Sequence, residues 1–187
     1  MEIRVGVARG ALSSCHLKDA KSSVLCMIFL EQKNEVDAQV EVKFSEGVPG
    51  PIRLPIKSTI ESLFCVKSRS TRIRVVLHAI RSGEEVFCSL INSFSVCVIL
   101  SGLGVIDTVC SSMLCVGDTE DKERGVGTMV HAVYMIHRKR IMQVYFEGLV
   151  DVERLGDAVE RLVSECEKKG EVLRAKIEEI VEGVTER

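Results

Sequence analysis

Apolar and polar residues alternate without a break from Glu35 to Phe44. Val36, Ala38, Val40, Val42 and Phe44 fall on one side, and Glu35, Asp37, Gln39, Glu41 and Lys43 on the other. A period of two is that of a strand with one wet face. Ser23 to Leu30 is an apolar run of strand length and is predicted to pair with it, so the first third reads as strands. Glu46-Gly-Val-Pro-Gly-Pro51 follows as a turn that no regular element should cross. Ile56, Ile60, Leu63 and Phe64 then recur at helical spacing and predict a helix to about Lys67. Arg72 to Ile80 reads as a strand with Ile73, Val75, Leu77 and Ala79 on one face.

From Val86 to Ile106 there are 21 residues without a charge, enough on paper for a membrane span. Ser89, Asn92, Ser93, Ser95, Ser101, Gly102 and Gly104 interrupt the run, and apolar character resumes after Asp107 as far as Val116. A buried helix over about 86–101 followed by a buried strand over about 106–116 accounts for this better than one span. The charged run Asp118 to Gly127 reads as a loop, and two strands from about Met129 to Phe146 flank the turn His137-Arg-Lys-Arg140 as a hairpin. The last 37 residues are predicted helical, with Asp151 as N-cap and Glu153 in the first turn. Leu155, Val159, Leu162, Cys166, Leu173, Ile177, Ile180 and Val184 form one seam, on which Gly170 marks a kink or a close approach by another element. The order predicts a mixed α/β (α+β) architecture in one domain over residues 1–187, with no linker or repeat.

Composition narrows the function. The chain has 46% apolar and 28% charged residues, as an ordinary globular protein does. A formal net charge of −2 argues against a surface built throughout for nucleic acid. Two tyrosines and no tryptophan argue against a platform for stacking single-stranded bases. Seven of the eight cysteines (Cys26, Cys65, Cys88, Cys97, Cys110, Cys115 and Cys166) lie in or beside apolar runs, without Cys-x-x-Cys spacing. They read as small core hydrophobes, which implies a reducing compartment. Met1-Glu-Ile-Arg4 lacks the plan of a signal peptide.

Enzyme chemistry finds little purchase. Gly102-x-Gly104 follows a helix and lacks the third glycine of a phosphate-cradling loop, and no serine has the context of a nucleophile elbow. His16, His78, His131 and His137 are scattered, and His78 and His131, within strands, are read as structural. The acidic loop Asp118, Glu120, Asp121, Glu123 has the oxygen ligands Mg²⁺ prefers, but a solvated charged loop containing Lys122 and Arg124 is the commoner explanation of such a run. No metal and no cofactor is therefore expected. The charge pattern is more distinctive: Arg53, Lys57, Lys67, Arg69, Arg72 and Arg74 face only Glu61 between Arg53 and Arg74. Residues 151–187, in contrast, carry eleven acids against seven bases. Two readings stand, a phosphate-facing edge and a charge-matched subunit interface. Arg53, Lys57, Arg72 and Arg74 are the candidates to face a nucleic-acid backbone in the first of these readings.

Together these segments resemble the RNase PH-like proteins, the fold of phosphorolytic exoribonucleases and of the ring of the eukaryotic RNA exosome. Ile91-Asn-Ser-Phe-Ser-Val-Cys-Val-Ile-Leu-Ser-Gly-Leu103 is similar, without a gap, to the family pattern Ile-Asn-Ala-Ala-Ser-Leu-Ala-Leu-Ala-Asp-Ala-Gly-Ile. Ser70-Thr71 plus a strand stands where the family has Arg-Thr, and Thr128-Met129 where it has Asp-Met. The hairpin, Phe146-Glu147-Gly148 and the long helix extend the likeness over about residues 10–185.

The departures bear on activity. Active members hold the attacking phosphate with Thr and Arg of a Gly-Gly-Thr-Arg segment. Here the stretch is Ser82-Gly-Glu-Glu-Val-Phe87, so the arginine position falls on Val86 or Phe87, and Glu84 and Glu85 would repel phosphate. The catalytic aspartate is Thr128, a second falls on Lys122, and the arginine-rich stretch before the first helix has shrunk to Gly47-Val-Pro-Gly-Pro51. Without the nucleophile site and the acid, phosphorolysis has no machinery. The resemblance, and in particular the ungapped run Arg53 to Ile80, implies a non-catalytic ring subunit in the nucleus, including the nucleolus, and the cytoplasm. Its expected partners are other RNase PH-like subunits, an RNA-binding cap subunit and RNA in the channel, in support of 3′-to-5′ processing of ribosomal and other RNA, with no membrane. The alternatives are a metal-dependent nuclease acting as a homodimer and an unrelated α/β adaptor.

Overall fold

The computed structural model describes residues 1–32, 40–64, 71–117 and 127–185. Strands β1 (Glu2–Val5), β2 (Ser13–Lys18), β3 (Ser23–Gln32), β4 (Val40–Phe44) and β5 (Thr71–Arg81) form one sheet, in the order β1-β2-β3-β5-β4. Helix α1 (Gly50–Leu63) lies between β4 and β5 in sequence, and α2 (Val86–Ser101) follows β5. Strands β6 (Val109–Val116), β7 (Thr128–Met135) and β8 (Arg140–Glu147) form a second, antiparallel sheet in that order. Helix α3 (Val152–Thr185) ends the described chain.

The expected pairing of the Ser23–Leu30 strand with the one ending at Phe44 is wrong. β3 pairs antiparallel with β2 and β5, and β4 pairs parallel with β5. The reason lies in the connection. β4, α1 and β5 make a crossover unit, and two parallel strands need such a crossover to stand side by side. β5, with Ile73, Val75 and Leu77 buried, takes the place between β3 and β4, and the short charged β4 serves as an edge. The Glu35–Gln39 part of the predicted strand lies outside the described residues.

Helix α1 begins inside the predicted turn, because Pro51 falls in its first turn, where a missing N–H costs nothing. It stops at Leu63, before the predicted Lys67, and Phe64 then bridges to Val105. Arg53 holds the turn in place, donating from Nε to the Val48 carbonyl at 3.0 Å and from Nη2 to the carbonyls of Val48 and Ser45.

Helix α2 matches its predicted span and is buried on nearly every side, between the two sheets. Its polar residues are satisfied locally or by the sheets: Ser93 Oγ donates to the Leu90 carbonyl, Ser89 and Ser22 share a bond of 2.6 Å, and Ser13 Oγ donates to the Cys97 carbonyl. This is why an uncharged run with so many serines folds inside a protein. Among the described residues no helix is long and apolar enough to cross a membrane.

The far face of the second sheet is covered by α3. Ala158, Leu162, Cys166, Leu173 and Ile177 are buried, while Leu155, Val159 and Ile180 are half-buried. The side chain of Val184 lies outside the described residues. A Cβ on Gly170 would sit 2.7 Å from Ile136 Cδ1, so the glycine marks a close approach by the β7–β8 turn. Asp107 fastens that turn from below: Oδ1 accepts from the amides of Thr108 and His137, and Oδ2 from that of Arg138 at 2.8 Å. Of the described cysteines, all free, only Cys115 is exposed, against the expectation that it lies in the core. Cys65 and the acidic loop Asp118, Glu120, Asp121, Glu123 lie outside the described residues.

Candidate functional site

The stretch that resembles the phosphate-holding segment of active RNase PH-like enzymes leads into the N-terminus of α2. Gly83 is required there, since a Cβ would meet the Lys21 carbonyl oxygen at 2.4 Å. Its carbonyl accepts from the Val86 amide at 3.1 Å and starts the helix. Glu84 is paired with Lys21 at 2.7 Å. A helix N-terminus attracts anions, but here carboxylates stand before it and the next two residues, Val86 and Phe87, are buried.

Phe87 is stacked on Tyr145 of β8, ring centroids 5.4 Å apart and planes at 18°, and lies 5.1 Å from His131 of β7. His131 is also 5.9 Å from Tyr145, so the three rings close on one another. Cys88 Sγ lies 3.5 Å from His131 Nδ1, the geometry of a nucleophile and its base. The electrostatics do not support that role. Burial pushes His131 down to about 4 and the Cys88 thiol up to about 11, so both are neutral near pH 7. Burial, with Glu147 as hydrogen-bond partner, likewise pushes Tyr145 up to about 12. Beyond this cluster Gln143 of β8 accepts from Thr59 of α1, tying the helix layer to the edge of the sheet.

Thr128 opens β7, and its hydroxyl donates to the Leu149 carbonyl at 2.9 Å. Gly148, at φ +123°, brings the chain so close that a Cβ would lie 2.7 Å from that hydroxyl. Thr128 thus closes the end of the hairpin. Lys122 lies outside the described residues. Among the described residues no group of His, Cys, Asp and Glu could hold a metal ion.

The basic stretch is distributed over two elements. Arg53 is turned to backbone carbonyls, as described above, and Lys57 pairs with Glu61 one turn on, at 3.7 Å. Arg72 and Arg74 emerge on the face of β5 opposite the core. Arg74 reaches Glu31 of β3 at 2.6 Å and Glu41 of β4 at 3.1 Å, and Arg72 lies 3.8 Å from Glu41. The hydrogen bond from Arg74 holds the Glu41 carboxyl below the usual range. Glu31 and Glu41 were missed as partners because only the parallel β4–β5 register places Glu41 opposite Arg74. Lys67 and Arg69 lie outside the described residues.

No family model matches the sequence, and no curated protein matches it. Among solved structures, the chain is similar to rice (Oryza sativa) Rrp46, with a TM-score of 0.82 at 15% identity, over 95% of this chain and 93% of that one. The ungapped run Arg53 to Ile80 and the shortened loop before Thr128 resemble the same subunit type, ribosomal RNA-processing protein 46. The two sheets, the helix layer between them and the long closing helix are the RNase PH-like fold in the form that rice Rrp46 has.

Proposed function

We propose that this chain is a non-catalytic ring subunit of the RNA exosome, supporting 3′-to-5′ RNA processing by holding the ring together and helping to guide RNA. The fold likeness supports placement among RNase PH-like subunits. The observation that carries the non-catalytic part is the N-terminus of α2, where buried Val86 and Phe87 stand in place of an arginine, packed under His131 and Tyr145. The cation described there, Lys21, is already paired with Glu84, and Glu84 and Glu85 oppose phosphate.

In this reading the partners are other RNase PH-like subunits, an RNA-binding cap subunit and RNA in the channel, in nucleus and cytoplasm. Arg53, Lys57, Arg72 and Arg74 meet the RNA backbone, for which clustered cations suffice without base contacts. Lys57, about half exposed and held only by one helix-surface pair, is the most available of the four.

The test is phosphorolysis by the purified chain on single-stranded RNA. No phosphate-dependent release of nucleoside diphosphates is expected. Phosphate-stimulated trimming that follows the protein through a final column, and is lost with it, overturns the non-catalytic reading. Identification of the chains that co-purify from the source cell tests the ring itself.

A further inference from the structure

β6 is an edge strand, and its two halves are treated differently. Over the first half, α2 covers the edge with side chains. Asn92 acts as a one-residue strand: Nδ2 donates to the Ser111 carbonyl at 3.0 Å and Oδ1 accepts from the Ser111 amide at 2.8 Å. Ser95 Oγ accepts from the Val109 amide at 3.3 Å. These bonds fix which backbone groups point away from β7. By the alternation of an antiparallel ladder, the amides and carbonyls of Met113 and Cys115 point the same way. Among the described residues no hydrogen-bond partner takes them. An unpaired, apolar edge of this kind is a template for another strand.

A groove of about 440 Å³ runs beside this free half, between β6 and α3. Its floor is Ser112, Met113 and Leu114, and its wall carries Arg161, Lys168 and Lys169. Glu165 also lines it, but is held by Lys168 at 3.2 Å. Arg161 and Lys169 have no ion-pair partner among the described residues. This local excess of positive charge stands on a helix that is acidic elsewhere.

We propose that the groove takes an extended acidic segment of another protein, which joins the sheet as a strand beside Met113–Val116 with its acidic side chains toward Arg161, Lys168 and Lys169. The free amides and carbonyls supply main-chain pairing, and the cations select the side chains that alternate onto the α3 side. RNA phosphate would satisfy the cations but not the outward amide and carbonyl pairs, so a peptide fits the whole surface better. Asn92 and Ser95 limit the new strand to the second half of β6. This inference does not depend on the ring-subunit reading.

The test uses the full chain and a fluorescein-labelled peptide, Val-Asp-Val-Glu-Val-Asp, followed by fluorescence polarisation. Binding is expected, about tenfold or more weaker when lysine replaces the acids. N-methylation of alternate peptide amides keeps every charge and is expected to weaken binding by about tenfold as strand pairing is lost. Arg161→Glu with Lys169→Glu should abolish the preference for acids. Met113→Pro removes one outward amide without touching the bonds to β7, and should weaken binding while the circular dichroism spectrum at the assay temperature remains that of the folded chain. Equal binding of the N-methylated peptide in both registers of methylation overturns the strand addition. Absence of binding overturns the site, and displacement of the peptide by oligouridylate at comparable concentration reassigns the cations to nucleic acid.

Discussion

The open face of β3, β5 and β4 and the α2 N-terminus beneath β7 and β8 handle charge in opposite ways. On the open face Arg72 and Arg74 are kept and balanced by Glu31 and Glu41, at a surface where water shares the load. At the α2 N-terminus, where an active RNase PH-like enzyme would carry an arginine, this chain has buried Val86 and Phe87, and the titratable neighbours Cys88 and His131 are driven to their neutral forms. The first arrangement is exchangeable, since a partner's phosphate or carboxylate can compete for side chains that are still partly open to water. The second is not, because the rings are part of the core. A function that relies on the first survives substitution, whereas one that relied on the second could not be restored by a single arginine.

The sharpest way to break this contrast is Phe87→Ala. It removes a ring packed against His131 and Tyr145, and is expected to cost about 3–5 kcal/mol in urea unfolding. A loss below 1 kcal/mol would mean that the aromatic cluster is not core. Phe87→Arg should destabilise as well and gain no phosphorolysis.

His131 gives the next largest effect. Its folded value of about 4 lies below the unfolded value of 6.5, so the unfolded chain binds more protons between them. Stability is therefore fully present above pH 6.5 and falls as pH drops toward 4, by roughly 2–3 kcal/mol for this group. His131→Phe should flatten that part of the pH–stability curve, measured by urea midpoints at constant m. An unchanged slope would remove His131 from the account.

The smallest effect is on the open face. Arg74→Ala should cost about 1 kcal/mol or less in the isolated chain, and less still in high salt. If the chain assembles into the proposed ring, charge reversal at Arg72 and Arg74 should weaken RNA binding and flatten its salt dependence while assembly stays intact. Loss of assembly instead would place the two arginines in a subunit interface.

Local pattern made α2, the β7–β8 hairpin and α3 legible in the sequence: α2 from its long uncharged run, the hairpin from its charged turn, and α3 from its apolar seam and N-cap. Gly170 was legible in part: a glycine on an apolar seam left a kink and a close approach both open, and the contact with Ile136 decides for the second. The pairing of β4 was not, because neighbouring strands suggest a hairpin unless a helix between β4 and β5 is read as a crossover. The site divided in the same way. The resemblance located Val86, Phe87 and Thr128, yet nothing local joins Phe87 to His131 and Tyr145, which meet only when α2 is laid against the second sheet. Glu31 and Glu41 were hidden for the same reason: ion pairs across strands depend on register.

Asp107 has a consequence for anyone altering this protein. Hairpin tips usually fray first and accept inserted segments. Here one buried carboxylate grips the amides of His137 and Arg138 and, through Thr108, the entry to β6. Those amides should exchange slowly with solvent deuterium despite their place at a turn, and a tag or loop spliced between residues 137 and 138 would unfasten two elements at once. The tip behaves as a rivet, so the molecule's tolerance for insertion has to be sought elsewhere on its surface.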